Sequence, residues 1–143
     1  MRKLLFLSLL SALFISCERP KNVNETNWRI IDIQVNSSDW KYSNKADNNF
    51  YYASIKVPAL NSFIYNSGLV FMYVEYRADD GSYYQAILPS VRHYEEINGG
   101  NHFYWTTTID YDYYIGGVTV YVTNSDFFNQ TPESMRFVLK MIW

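Results

Sequence analysis

The sequence predicts an all-β protein that forms a single β-sandwich of about seven or eight antiparallel strands in a Greek-key, immunoglobulin-like order. Three observations indicate this fold. Aromatic residues make up 19% of the chain, and 14 of them are Tyr; Tyr and Phe favour half-buried pleated surfaces. Apolar and polar residues alternate with period two in several short segments. Turn residues separate these segments, about 8–15 residues apart. An up-and-down β-barrel is the alternative.

The alternation predicts strands along most of the chain. In the last strand an apolar face alternates with a face that carries Arg136 and Lys140. Pro58 and Pro89 each end a strand, because proline cannot donate to the hydrogen-bond ladder. The predicted strands are 28–35, 50–57, 69–77, 83–88, 102–110, 118–123 and 135–142, with short extended pieces at 39–42 and 91–94.

Polar and glycine-containing stretches predict the connections between these strands. Asp80-Gly81 and Gly99-Gly100 are hairpin signals, because glycine tolerates positive φ. The polar stretch 43–49 predicts a hairpin loop, and 111–117 predicts an irregular crossover that is rich in Tyr. Apolar residues at helical spacing in 59–65 predict one or two turns of helix.

The first residues of the chain have the layout of a signal peptide. Arg2 and Lys3 form a basic start, and a mainly apolar run follows over residues 4–15. This run is shorter than the roughly 20 apolar residues that a transmembrane helix needs. The sequence therefore predicts an exported protein.

The end of the apolar run resembles a bacterial lipobox, where a lipoprotein signal peptidase cuts before a cysteine. Ser16 is the small residue before Cys17, although Phe14 stands where the usual pattern has Leu. The resemblance implies that residues 1–16 are removed and that Cys17 is lipidated, followed by a flexible tether up to residue 27 and a domain over 28–143. Several acyl chains on one residue anchor a protein stably. We therefore expect attachment to a bacterial cell-envelope membrane, with the outer membrane favoured and its periplasmic or surface side left open.

The charge and the cysteine content of the chain limit the classes of function that the sequence predicts. Without residues 1–16 the chain would have 127 residues, with 10 basic and 14 acidic side chains. Nucleic-acid binding favours a basic surface, so no nucleic-acid partner is expected. Cys17 is the only cysteine, so we expect no intramolecular disulfide, thiol nucleophile or cysteine-bound zinc in the domain. The sequence contains no phosphate loop or serine elbow, and we expect no cofactor and no enzymatic activity.

Two histidines are candidates for a metal site. His93 and His102 flank a predicted hairpin, where Glu95 or Glu96 would supply a further ligand of the usual type. Their spacing is not specific for a metal. Exposed ring nitrogens near a turn are therefore the preferred interpretation.

Two carboxylates are candidates for hydrolysis. Asp110 and Asp112 lie among tyrosines, and paired carboxylates beside aromatic rings are what a glycosidase needs. Residues two apart in a strand point to the same side, however. This arrangement suits a solvated sheet better than an acid and a nucleophile on opposite sides of a bond, so a structural role is preferred to that of a small hydrolase.

Adjacent aromatic residues recur in the predicted strands. Neighbours in a strand point to opposite faces, so we expect one ring of each pair in the core and the other outside. Exposed rings are candidate stacking surfaces for sugars or peptides, and we select Tyr83, Tyr113 and Tyr114. The alternative is that the rings form cross-strand ladders that stabilise the sheet. The pairs are Tyr51-Tyr52, Tyr83-Tyr84, Tyr104-Trp105 and Tyr113-Tyr114.

Three segments, 50–60 (FYYASIKVPAL), 89–94 (PSVRHY) and 132–142 (PESMRFVLKMI), resemble those of small Bacteroidetes-type cell-envelope lipoproteins. The resemblance implies a lipid-anchored β-sandwich on an outer membrane and assigns no activity to particular residues. The function expected from the sequence is therefore binding or scaffolding of another molecule, a glycan or a protein, in the cell envelope. The alternatives are a surface glycan-binding protein that uses exposed aromatics and a small hydrolase.

Overall fold

The computed structural model describes residues 25–45, 48–126 and 129–143. Ser16 and Cys17, with the rest of the predicted signal peptide, lie outside the described residues. Within these described residues, one α-helix, α1 (Ser62–Ser67), and one turn of 3-10 helix (Ser37–Asp39) accompany the strands. The strands are β1 (Trp28–Val35), β2 (Lys41–Lys45), β3 (Asn48–Lys56), β4 (Leu69–Arg77), β5 (Tyr83–Ile87), β6 (Ser90–Asn98), β7 (Asn101–Tyr114), β8 (Gly117–Asn124) and β9 (Met135–Ile142).

The strands form two antiparallel sheets that pack face to face. Sheet A has the order β1-β9-β4-β5, and sheet B has the order β2-β3-β8-β7-β6. In sheet A β9 lies between β1 and β4, and in sheet B β3 lies beside β8. Strands that are distant in the sequence are thus neighbours, as in Greek-key folds. The predicted β-sandwich is confirmed, and the barrel alternative is wrong, because the described strands form two separate sheets.

Alternating side chains from both sheets form one hydrophobic core. In β9, Phe137, Leu139 and Met141 point inward and are at most 1% exposed, as their period-two spacing predicts. Val118 and Val120 of β8 are completely buried on the opposite sheet. Burial of each such side chain stabilises the fold by about 1.5–3 kcal/mol. The core therefore holds the two sheets together along β8 and β9.

The helix α1 closes one end of the sandwich. The side chain of Asn61 caps it by accepting a hydrogen bond from the backbone N–H of Ile64 at 3.0 Å, and the Ile64 side chain is buried. At the same end the backbones of Asn27 and Trp143 exchange two hydrogen bonds, of 2.7 and 2.9 Å. We call this end the tether end, because the chain enters β1 there.

Two of the predicted connections are wrong. The loop expected over 43–49 is mostly strand, since β2 extends to Lys45 and β3 begins at Asn48. The crossover expected over 111–117 is the end of β7 followed by a tight turn at Gly116, whose φ is +91°. Both segments are polar or Tyr-rich. Each becomes strand because a neighbouring strand supplies partners for its backbone.

Gly117 begins β8 under the ring of Tyr114, and Gly117→Ala should destabilise the protein. An added Cβ would lie 2.7 Å from Cζ of Tyr114 and 2.8 Å from the carbonyl oxygen of Ile55. Overpacking of this kind costs about 1–3 kcal/mol, so urea denaturation should show a lower midpoint. Adding Tyr114→Ala should restore only part of the loss, because the Ile55 carbonyl cannot move away. An unchanged midpoint in Gly117→Ala would contradict this contact.

Candidate functional site

The β6–β7 hairpin projects beyond the rest of sheet B at the end opposite to the tether end. β8 ends at Asn124, which pairs with Thr107, whereas β7 begins at Asn101. Six residues of strand correspond to a projection of about 20 Å. The inner face of this hairpin is buried at Ser90 and Ile109 and becomes accessible beyond them. The projecting part therefore offers a partly open surface, which sheet A approaches at Met135 of β9.

Aromatic rings cover this inner face. Tyr94 and Trp105 are cross-strand partners, and their rings stack with centroids 5.5 Å apart and planes 17° apart. Phe103 follows on the same face and is 54% exposed. Asn124, at the end of β8, and Gln130, in the loop that follows, face these rings. We call the surface formed by Tyr94, Phe103, Trp105, Asn124 and Gln130 the aromatic groove.

The aromatic groove consists of two adjoining cavities of about 360 and 320 Å³. Trp105, Asn124 and Gln130 line both of them. Each volume falls in the range typical of small-molecule sites. The first cavity is further lined by Glu96, Asn98, Phe103 and Asp126. The second is further lined by Tyr94, Thr107, Val122, Thr131, Pro132, Glu133 and Met135.

Amide and carboxylate groups supply the polar contacts of the groove. Asn98, Asn124 and Gln130 contribute amides, and Glu96 and Asp126 contribute carboxylates. The hydroxyl of Thr107 donates to Oδ1 of Asn124 at 2.7 Å. This bond orients the Asn124 amide, which leaves its NH₂ group as a donor. The groove thus combines flat apolar faces with both donors and acceptors.

An arginine between aromatic rings supports the inner end of the groove. Cζ of Arg92 lies 3.9 Å from the ring centroid of Tyr76 and 5.5 Å from that of Tyr84. Such cation–π contacts stabilise by about 0.5–2 kcal/mol. The hydroxyls of Tyr76 and Ser90 are hydrogen-bonded at 3.1 Å. Burial raises the pKa of the neighbouring Tyr94 hydroxyl, and Tyr76 acts in the same direction, so Tyr94 is a neutral hydroxyl at physiological pH.

The three tyrosines selected from the sequence do not form one surface. Tyr83 lies on β5 of sheet A, where the guanidinium of Arg136 approaches its ring to 5.7 Å. Tyr113 and Tyr114 lie at the tether end of sheet B, and the ring of Tyr113 contacts that of Tyr65. Their individual roles in binding stay predictions.

The expectation of one buried ring per aromatic pair is only partly correct. It holds for the first pair, in which Tyr51 is buried and Tyr52 is half-buried. In Tyr83-Tyr84 and Tyr113-Tyr114 both rings are exposed. These two pairs lie at strand ends, where the opposite sheet no longer covers the inward-pointing ring.

The histidines lie outside the groove and have separate partners. Nδ1 of His102 is 2.5 Å from Oε1 of Glu95, while Nδ1 of His93 is 2.8 Å from the hydroxyl of Thr106. Both pairs are on the outer face of the β6–β7 hairpin. Within residues 25–45, 48–126 and 129–143, no group of three metal-ligating side chains comes together.

Asp110 and Asp112 share the outer face of sheet B. The hydroxyl of Tyr121 donates to Oδ2 of Asp112 at 3.0 Å. Burial raises the pKa of the Asp110 carboxyl, and the nearby Asp112 carboxylate raises it further. Both residues are exposed, and they lie two residues apart on the same face of β7 rather than across a cleft. The geometry matches a solvated sheet surface.

The raised pKa of Asp110 predicts a pH-dependent gain in stability for Asp110→Asn. The folded protein binds the Asp110 proton more tightly than the unfolded chain, so stability is lost as the pH rises from the ordinary pKa of 3.8 towards the raised value. Asp110→Asn removes this loss. Thermal unfolding should show a higher midpoint than wild type at about pH 7 and little change at about pH 3. An equal change at both pH values would contradict the titration of Asp110 as the cause.

Comparison with protein-family models, with curated proteins and with solved structures finds no match to this chain. The resemblance to Bacteroidetes-type lipoproteins therefore stays a prediction. In the part of the chain that the structure describes, no helix has the length and apolar character needed to cross a membrane.

Proposed function

We propose that the protein is a lipid-anchored, non-enzymatic binding protein of the bacterial cell envelope and that its aromatic groove binds a neutral glycan chain. The observation that carries this proposal is the stacked pair of Tyr94 and Trp105, surrounded by amides and carboxylates. The C–H faces of sugars pack on aromatic rings, and sugar hydroxyls both donate and accept hydrogen bonds. The groove supplies partners for both kinds of contact.

The dimensions of the groove support a chain of sugars as the ligand. Its two cavities adjoin at Trp105, and each has the volume of a small-molecule site. A ligand that spans both would contact Phe103 at one end and Tyr94 at the other. The carboxylates Glu96 and Asp126 favour hydroxyl-rich, uncharged ligands over acidic ones. We therefore favour a neutral oligosaccharide over a uronic acid polymer.

The positions of the other carboxylates support binding rather than hydrolysis. A hydrolase built from Glu95, Asp110 and Asp112 would need these groups to converge in one cleft. Glu95 instead contacts His102 on the outer face of the hairpin, and Asp112 accepts a hydrogen bond from Tyr121 on the outer face of sheet B. These groups face away from the aromatic groove.

The proposed anchor at Cys17 is consistent with the direction in which the groove faces. The chain enters β1 at Trp28, at the tether end, and the groove lies at the other end. A lipid on Cys17 would therefore hold the domain with its groove away from the membrane.

In bacteria grown with a clickable palmitate analogue, the wild-type protein should carry the label and Cys17→Ala should not. Label that persists in Cys17→Ala would contradict the anchor.

A glycan array tests the ligand. We expect the protein to bind neutral oligosaccharides of several sugars, with β-linked and α-linked glucans, xylans and mannans as the neutral probes and oligosaccharides of uronic acids as the acidic probes. Binding to none of these probes, or equal binding to all acidic and neutral probes, would contradict the proposal. Tyr83→Ala and Tyr113→Ala serve as controls, because both side chains lie away from the groove.

A further inference from the structure

The tether end carries several exposed apolar side chains. Trp28, Ile142 and Leu69 are cross-strand neighbours in one row on the outer face of sheet A. Phe63 and Tyr65 lie on α1, directly before Leu69, and Ile115 lies in the β7–β8 turn, whose Gly116 N–H donates to the carbonyl of Leu60. These six side chains are between 37% and 69% exposed. We call them the tether-end patch.

Charge is distributed so that the tether-end patch is free of acidic groups. Residues 57–74 and 113–125 contain no charged side chain. The charged residues near this end of the strands are Arg29 and Lys56, which are basic, and Asp112, which lies two residues before Tyr114 in β7; all three are exposed. The nearest acidic residues in β1 and before it are Asp32, farther along the strand, and Glu25, in the tether. The patch itself is therefore uncharged, and basic and acidic side chains both lie near it.

The length of the tether places this patch close to any anchor on Cys17. Ten residues lie between Cys17 and Trp28, and the eleven Cα–Cα steps that join the two residues span at most about 40 Å when fully extended. This length is an upper limit, so a lipid on Cys17 would keep the patch at high effective concentration near the bilayer. Trp and Tyr are the side chains that favour the membrane–water interface.

We infer that the tether-end patch binds the headgroup region of the bilayer, so that the domain stands on the membrane in one orientation. This inference rests on the proposed lipid anchor at Cys17. Trp28, Phe63 and Leu69 insert among the headgroups, and Arg29 and Lys56 face anionic lipid. The groove is then held clear of the surface. Trp105 lies nine residues along β7 from Tyr114, which corresponds to about 30 Å.

The only cysteine allows a test that does not depend on lipidation in the cell. The chain from Cys17 to Trp143, which includes every residue that the structure describes, is coupled through the Cys17 thiol to a maleimide lipid. The vesicles contain phosphatidylcholine and phosphatidylglycerol, and some of the phosphatidylcholine is brominated to quench Trp fluorescence. The measured quantity is the amount of Trp fluorescence that the brominated lipid quenches. We expect Trp28→Phe to lower this amount at least two-fold and Trp105→Phe to leave it unchanged.

A charge substitution provides the second variant. Phe63 is 60% exposed on α1 and Ile97 is 63% exposed near the tip of the β6–β7 hairpin, so neither Phe63→Glu nor Ile97→Glu should unfold the domain. Phe63→Glu should lower the quenching at least two-fold, and Ile97→Glu should not change it. The inference would be overturned by equal quenching in all variants or by absence of quenching in the wild type. It would also be overturned if the uncoupled protein formed a dimer that Phe63→Glu dissociates. Loss of palmitate labelling in cells with normal quenching would instead refute only the lipid anchor.

Discussion

Trp105→Ala should weaken the binding of a neutral oligosaccharide by about 30-fold, because a central aromatic contact of this kind contributes about 2 kcal/mol. Trp105 lines both cavities of the groove and stacks on Tyr94. Its loss therefore removes a stacking surface for the ligand and a neighbour that fixes the Tyr94 ring. Trp105→Phe should retain part of the affinity, since a smaller ring keeps some of the stacking.

Tyr104→Ala is the matched control for this substitution. Tyr104 directly precedes Trp105 in β7, is 70% exposed and points to the opposite face of the hairpin. Calorimetric titration with the best oligosaccharide from the array should give the wild-type affinity for Tyr104→Ala. If Tyr104→Ala weakened binding as much as Trp105→Ala, the ligand would lie on the outer face, and the assignment of the groove would be wrong.

Phe137→Ala should lower the free energy of unfolding by about 3–5 kcal/mol. Phe137 is 1% exposed and lies in β9, between β1 and β4. Its ring is among the largest fully buried side chains in the described residues. Substitution by Ala leaves a cavity that sheet B cannot fill without moving, so both the transfer free energy and the cavity contribute to the loss.

Equilibrium urea denaturation measures this loss, and Ile97→Ala is its control. Ile97 is also an apolar strand residue but is 63% exposed, so its truncation should change the free energy of unfolding by less than about 0.5 kcal/mol. Similar losses in the two variants would mean that β9 does not form the centre of the core.

The sequence predicts the parts of this fold that depend on local patterns. The alternation in 135–142 predicts the buried face of β9, and Asp80-Gly81 and Gly99-Gly100 predict the β4–β5 and β6–β7 hairpins. These features need only period-two spacing and the freedom of glycine at positive φ. Gly99 and Gly100 have φ values of +58° and +82°, as such a turn requires.

Other features depend on strands that are distant in the sequence. β7 continues through Tyr111 because that residue pairs with Val120 and donates its hydroxyl to the carbonyl of Val70 on the other sheet. Nothing within 111–117 itself indicates either partner. β2 likewise exceeds its predicted length because β3 lies beside it.

The aromatic groove illustrates the same limit for the candidate site. The spacing of Phe103, Trp105 and Ile109 predicts that they share a face, and the register confirms it. Ile109 is buried, whereas Phe103 is exposed, because the hairpin extends farther than β8 and the strands opposite. This difference in length belongs to the assembled sandwich. Adjacent aromatic pairs therefore point to Tyr83, Tyr113 and Tyr114, whereas nothing in the sequence around Tyr94 and Trp105 indicates that they line a groove.

The four tryptophans allow the central claim to be tested in one titration, since their indole N–H groups report on three different parts of the molecule. Trp105 lies in the groove, Trp40 is buried with its indole N–H donating to the carbonyl of Glu133 at 3.1 Å, and Trp28 and Trp143 lie at the tether end. Nitrogen–proton correlation spectra recorded with increasing neutral oligosaccharide should show a saturable shift of the Trp105 indole signal while the other three stay in place. A shift of the Trp28 signal with Trp105 unmoved, or no shift in any indole at saturating oligosaccharide, would contradict glycan binding in the aromatic groove.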